Sequence, residues 1–170
     1  MGAPDPYLGI LAEHGFRSGD APRFLASWEQ LEALYLERLT VVTAPLGSWR
    51  ERFRAAATET GALVESHPAQ ARFLAVDALA AGGLGRERQR ALGARLAQLV
   101  DLARNELEEP DLVPESTAPW IVAMFFNRVY RRCTRAGGPD LPSQLPELLF
   151  LAISAYFGTR AGLEELIPPA

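Results

Sequence analysis

The stretch Val129–Gly158, VYRRCTRAGGPDLPSQLPELLFLAISAYFG, decides the fold. It encodes two apolar helices joined by a Gly-Pro loop, and it closes on an aromatic-Gly stop of the kind that ends helices. The first helix extends upstream to about Pro119, with Ser116 or Thr117 able to cap it, and runs to Arg135. It is apolar nearly all round, at Trp120, Ile121, Val122, Met124, Phe125, Phe126, Val129 and Tyr130. The final helix, about Leu145–Phe157, has the same character. Helices of this kind are buried on more than one side. Their combined apolar surface exceeds what one small domain covers, which predicts an isologous contact with a second copy in a four-helix arrangement. The alternative is that both helices are the core of a monomer.

Outward from this pair the chain reads as all-α, because helix punctuation is frequent and β-alternation is nearly absent. Ser27 can cap a helix to about Val42 with Leu31, Leu34, Tyr35 and Leu39 on one face. Pro45 and Gly47 end it, and Ser48 with Glu51 forms the sequence of a capping box for a helix carrying Trp49, Phe53, Ala56, Ala57, Thr60 and Val64 inward. Pro68 suits the first position of a third helix that runs through Phe73, Leu74, Val76 and Leu79 to Gly82-Gly83. The segment Gly85–Leu107 places Leu92, Leu96, Leu99, Val100, Ala103 and Leu107 on one stripe, with arginines mixed among Glu and Gln elsewhere. An acidic, proline-containing loop, Glu108–Glu115, leads into the last pair.

At 170 residues the chain suits one all-helical domain with a sizeable core. A net charge of -4 argues against a nucleic-acid footprint over the whole surface, although a local basic face is compatible with it. The single cysteine, Cys133, allows no intrachain disulfide and no cysteine-based metal cluster, and it fits a reducing cytoplasm. The first residues lack a basic segment followed by an apolar one, and no apolar run approaches the roughly 18 residues of a membrane span. The expectation is therefore a soluble cytoplasmic protein without membrane partners. All seventeen basic residues are Arg, which looks like a coding bias and carries no function.

In its order of residues the C-terminal stretch resembles the last two helices of the TetR family of transcriptional regulators. The features are a paired-Arg helix end, a Gly-rich loop, L-P-x-x-L-P-E-L-L and a closing Y-F-G. The resemblance extends from about Ser48 through the Trp-Arg helix start, H-P-A-x-A-R-F-L-A-V-D-A-L-A-A-G and the Arg-rich helix. It implies residues 45–170 as a ligand-binding and dimerisation domain, behind a remnant helix-turn-helix and connecting helix in residues 1–44. By carry-over, Phe53, Ala57, Leu63, Phe73, Asp77, Leu99, Trp120, Met124 and Phe125 are the candidate lining of a site for a small apolar ligand. Val129, Tyr130, Leu148, Leu149, Ile153 and Tyr156 are the candidate homodimer interface. The implied function is a ligand-responsive homodimeric regulator with weakened DNA binding. A dimeric ligand- or partner-binding module that has lost autonomous DNA binding is the alternative.

The weakness lies at Gly15–Leu31, GFRSGDAPRFLASWEQL. This stretch keeps the family's register at Gly15, Gly19, Ser27, Glu29 and Leu31, but Pro22 replaces an aromatic and Trp28 replaces a Lys, both phosphate contacts in the family. Such contacts supply much of protein–DNA affinity. Pro22 is also expected to disrupt a recognition helix. Arg17, Ser18 and Arg23 are the remaining candidate DNA contacts, and residues 1–14 have room for only one short helix before them.

Other chemistry is sparse. His14 and His67 lack a second ligand at helical spacing, so no metal site is expected, and His67 reads as a residue of a helix junction. Cys133 has arginines beside it but no acid–base partner, which favours an inert thiol. Asp77, inside FLAVDALAA, has three open fates: facing solvent, pairing with Arg72 or another Arg, or lining a pocket. Asn127 and Arg128 break the apolar Trp120–Tyr130 run and would orient a ligand or fix a dimer register. No phosphate loop, nucleophile elbow or paired-carboxylate spacing supports catalysis, and no cofactor is expected.

Overall fold

The computed structural model describes residues 21–135, 137 and 139–167. Among these residues the chain is all-helical and carries six helices. They are α1, Ala21–Thr43, and α2, Trp49–Ser66, then α3, built from Pro68–Arg72, a π-helical turn Phe73–Asp77 and Ala78–Ala80. After these come α4, Gly83–Asp101, α5, Thr117–Thr134, and α6, Leu141–Leu163. None of the described helices is long and apolar enough to cross a membrane.

Local chemistry explains most boundaries. The Glu51 backbone N–H donates to Ser48 Oγ at 3.2 Å and the Ser48 N–H donates to Glu51 Oε2 at 3.0 Å, which closes the capping box of α2. Pro68 opens α3 where no N–H is needed. Gly82 adopts φ 79° at the reversal into α4. Three residues on, a Cβ at Gly85 would run into the carbonyl oxygen of Ala78, so only glycine permits so close an approach of α3 and α4. Arg104 organises the loop before α5, donating to the carbonyls of Pro110 at 2.6 Å, Val113 at 2.8 Å and Pro114 at 2.9 Å.

Two boundaries differ from the periodicity. Helix α1 begins at Ala21, and Ser27 lies inside it, 3% exposed, where it caps nothing. Pro22 lies near the beginning of the described part of this helix and does not interrupt it. Helix α6 begins at Leu141, because Asp140 Oδ1 accepts the Ser143 N–H at 2.8 Å and Pro142 occupies the first turn. Its aromatic-Gly stop is a true break, Gly158 taking φ 82°, but the chain resumes helical geometry to Leu163. The 3-10 turn that follows, Glu164–Leu166, is fastened to α2: Arg50 Nη2 donates to Glu165 Oε1 at 2.9 Å and Arg54 Nη2 to the same oxygen at 2.7 Å.

The core has two parts. One joins Trp49, Phe53 and Val64 of α2 to Ile121 and Val122 of α5 and Leu148, Ala152 and Ile153 of α6. The other joins Phe24, Trp28 and Leu31 of α1 to Phe73 and Ala78 of α3 and Leu92 of α4. Helix α1, from the proposed connecting region, therefore shares a core with the rest of the described chain.

An ion pair secures the start of α6. Arg132 donates to both oxygens of Glu65, at 2.8 and 2.6 Å, and the Leu141 N–H donates to Glu65 Oε1 at 3.1 Å. The Arg132 hydrogen bonds hold the Glu65 carboxyl below its ordinary value of 4.5, with the Leu141 N–H adding to the effect. A carboxyl lowered on folding stabilises the fold above its unfolded pKa, and that contribution disappears as the pH falls through the folded value. Glu65→Gln is accordingly expected to be less stable than the parent chain at neutral pH, with the gap closing as the pH falls below the ordinary carboxylate range in chemical denaturation. A gap that stays constant with pH would show that ionisation of Glu65 contributes nothing.

Candidate functional site

A cavity of about 740 Å³ lies between the two parts of the core. Its wall draws Leu31 and Leu92 from one and Trp49, Phe53, Ile121 and Val122 from the other. Helices α1 to α5 all contribute, and the volume falls within the roughly 300–1,000 Å³ of small-molecule sites. The exposed members of the wall are Thr40 on α1, Ala44 just after it, and Arg95, Gln98, Leu99 and Leu102 on α4 and the 3-10 turn that follows it. The opening therefore lies between the C-terminal halves of these two helices. Leu99 is 51% exposed there although its stripe points inward, because it faces the cleft.

Aromatic rings build one side. Trp49 and Phe53 stack at 4.7 Å between centroids, and Phe125 meets Phe53 edge-on at 5.9 Å. Across from them, Tyr35 of α1 and Thr60 of α2 share a hydrogen bond of 3.0 Å. Burial pushes the Tyr35 phenol up from its ordinary range, so it keeps its proton throughout the neutral region. Two cations reach the wall and both are paired: Arg95 Nη1 with Glu32 Oε1 at 2.9 Å, and Arg52 Nη2 with Glu106 Oε1 at 3.3 Å. His67, at the junction of α2 and α3, lines the cavity and shares a 2.8 Å hydrogen bond between its Nδ1 and Ser66 Oγ.

The candidate lining divides. Phe53, Ala57, Leu63, Leu99 and Phe125 line the cavity. Phe73 does not: it is 1% exposed and packs against the rings of Phe24 at 5.4 Å and Trp28 at 6.4 Å. Asp77 lies outside the wall and pairs with Arg72 at 3.5 Å, the second of its three fates. Trp120, 77% exposed, faces outward from α5, and half-buried Met124 packs on the core without reaching the cavity. Helical period accounts for both, since residues 121, 122, 125, 126 and 129 share the inward face of α5.

Helix α1 contributes Tyr35, Leu36 and Leu39 to the wall, none of which the resemblance marks as lining. The stripe containing Tyr35 and Leu39 was visible in the sequence, but what it faces depends on how α1 packs on α2.

The interface residues require correction as well. Leu148 and Ile153 are fully buried, and Leu149 and Tyr156 are each 6% exposed, all within this chain's own core. Val129 is half-buried and lines the cavity, and only Tyr130, at 41%, keeps substantial exposure. The stripes left uncovered on this pair are Trp120, Ala123, Asn127 and Tyr130 on α5, and Glu147, Leu151 and Ala155 on α6. Arg128 spans the two helices, donating to Gln144 Oε1 at 3.0 Å and meeting Glu147 at 3.5 Å. Among the DNA candidates, Arg17 and Ser18 lie outside the described residues, and Arg23 is exposed in the first turn of α1. Cys133 is half-buried, and burial pushes its thiol up against the pull of Arg132 and Arg72, which leaves little thiolate at neutral pH.

No protein-family model, no curated protein and no solved structure matches this chain.

Proposed function

We propose that this chain is a ligand-binding, self-associating helical domain of the TetR type that does not bind operator DNA by itself through residues 15–31. The observation that carries the ligand part is the apolar cavity between α1 and α4, lined from five helices. Filling such a cavity stabilises whichever conformation encloses the ligand better, and a regulator uses that differential affinity as its signal. Self-association is supported by the uncovered stripes of α5 and α6, where Trp120 and Leu151 stand exposed.

The unbroken course of α1 supports the loss of DNA contact. In the family's register a turn precedes the helix beginning at Ser27, whereas here the described helix Ala21–Thr43 runs through Ser27 without a break. Its Phe24 and Trp28, 2% and 0% exposed, are committed to the core. A second reading, an operator-binding regulator, is favoured by the gap-free register of Gly15, Gly19, Ser27, Glu29 and Leu31. Titrating the purified chain against labelled duplex from its own upstream region at several salt concentrations separates the two. The expected result is no binding beyond that of random duplex. Saturable submicromolar binding that weakens steeply with salt would establish the second reading instead.

A further inference from the structure

The hydroxyl groups around the cavity have their protons assigned. Thr60 Oγ1 donates to the Ala56 carbonyl at 2.7 Å, Thr40 Oγ1 to the Leu36 carbonyl at 2.9 Å and Thr43 Oγ1 to the Leu39 carbonyl at 2.8 Å. Each is a bond back along its own helix. A hydroxyl has one proton, so in the 3.0 Å contact between Tyr35 and Thr60 the phenol is the donor and Thr60 Oγ1 the acceptor. The Tyr35 oxygen is left with acceptor capacity and no proton to offer. A ligand group beside it gains a hydrogen bond only by donating.

Charge narrows the class further. Among the described residues the wall contains no carboxylate, so a cationic ligand finds no partner there. Its two arginines are already paired, and Glu32 is 8% exposed, accepting from Trp28 Nε1 at 2.8 Å as well as from Arg95. An anion that drew Arg95 away would leave a buried carboxylate without its countercharge, which is costly.

We propose that the cavity selects an uncharged, largely apolar molecule carrying one hydrogen-bond donor, a hydroxyl or N–H, which it gives to the Tyr35 oxygen. This rests on the reading of the cavity as a ligand site and adds the chemistry of what fills it. The aromatic wall of Trp49, Phe53 and Phe125 suits an alkyl-substituted ring as the probe.

Isothermal titration calorimetry at neutral pH with p-hexylphenol, p-hexylanisole and p-hexylbenzoate tests the assignment, since the three share a body and differ in being donor, acceptor only and anion. The phenol is expected to bind roughly fivefold more tightly than the anisole, the worth of one net hydrogen bond, with the benzoate weakest. In Tyr35→Phe the phenol falls to the level of the anisole, whose own affinity is unchanged. In Thr60→Val the Tyr35 proton is released, and the anisole gains on the phenol. Equal binding of phenol and anisole to the parent chain, a preference surviving in Tyr35→Phe, or the benzoate binding tightest would overturn the donor assignment while leaving a ligand site in place. Failure of all three probes to bind would remove the ligand site and the proposal with it.

Discussion

Trp28→Ala is expected to destabilise the fold by about 3–5 kcal/mol, the usual range for deleting a large buried aromatic. Trp28 is 0% exposed and its ring lies 6.0 Å from Phe24 and 6.4 Å from Phe73, at the contact of α1 with α3. The substitution also removes the indole N–H from Glu32, leaving that buried carboxylate dependent on Arg95. For a chain of this size the thermal midpoint should fall by roughly 10 °C. Trp28→Lys, which restores the residue type of the resembled regulators, should be comparably destabilising, because it removes the ring from the core and puts an ammonium in its place even with Glu32 nearby. Urea denaturation followed by circular dichroism checks both. A loss below about 1 kcal/mol for Trp28→Ala would mean that α1 does not dock through this residue.

Trp120→Glu combined with Leu151→Glu is expected to convert a dimer into a monomer while leaving the helical content unchanged. The two side chains are 77% and 43% exposed within the chain, so the acids cost the isolated fold little, whereas a self-association contact would have to bury them. A weakening of association by on the order of a hundredfold or more follows from burying two unpaired carboxylates. Ile153→Glu provides the contrast: at 0% exposure it places a charge in the chain's own core and should unfold the protein instead of separating copies. Sedimentation at micromolar concentration distinguishes these outcomes. A dimer unaffected by the double substitution would move the interface off the α5–α6 stripes, and a parent chain that is strictly monomeric would remove it.

The resolving power of the sequence ended where helix faces had to be assigned. In α6, the apolar residues Leu148, Leu149, Phe150, Leu151, Ala152 and Ile153 run without a polar break, so periodicity offers no phase, and four buried positions and one exposed position look alike. The same holds for α5, where Trp120 and Ile121 are adjacent and equally apolar yet point to solvent and core. In α2 the alternation with Arg and Glu set the phase, and Trp49, Phe53, Ala57 and Val64 are all buried as the spacing predicts.

By itself, then, the sequence determined the helical class, the capping box at Ser48, the start at Pro68, the reversal at Gly82 and the break at Gly158, because each rests on interactions within a few residues. Tertiary packing alone decided that α1 runs unbroken through Ser27, that Trp28 and Phe73 belong to a core and not to a ligand wall, and that Tyr35 meets Thr60 across 25 residues. Contacts of that separation depend on which faces are left for burial once the other helices are in place, and a short-range code of caps, turns and periodicity contains no information about them.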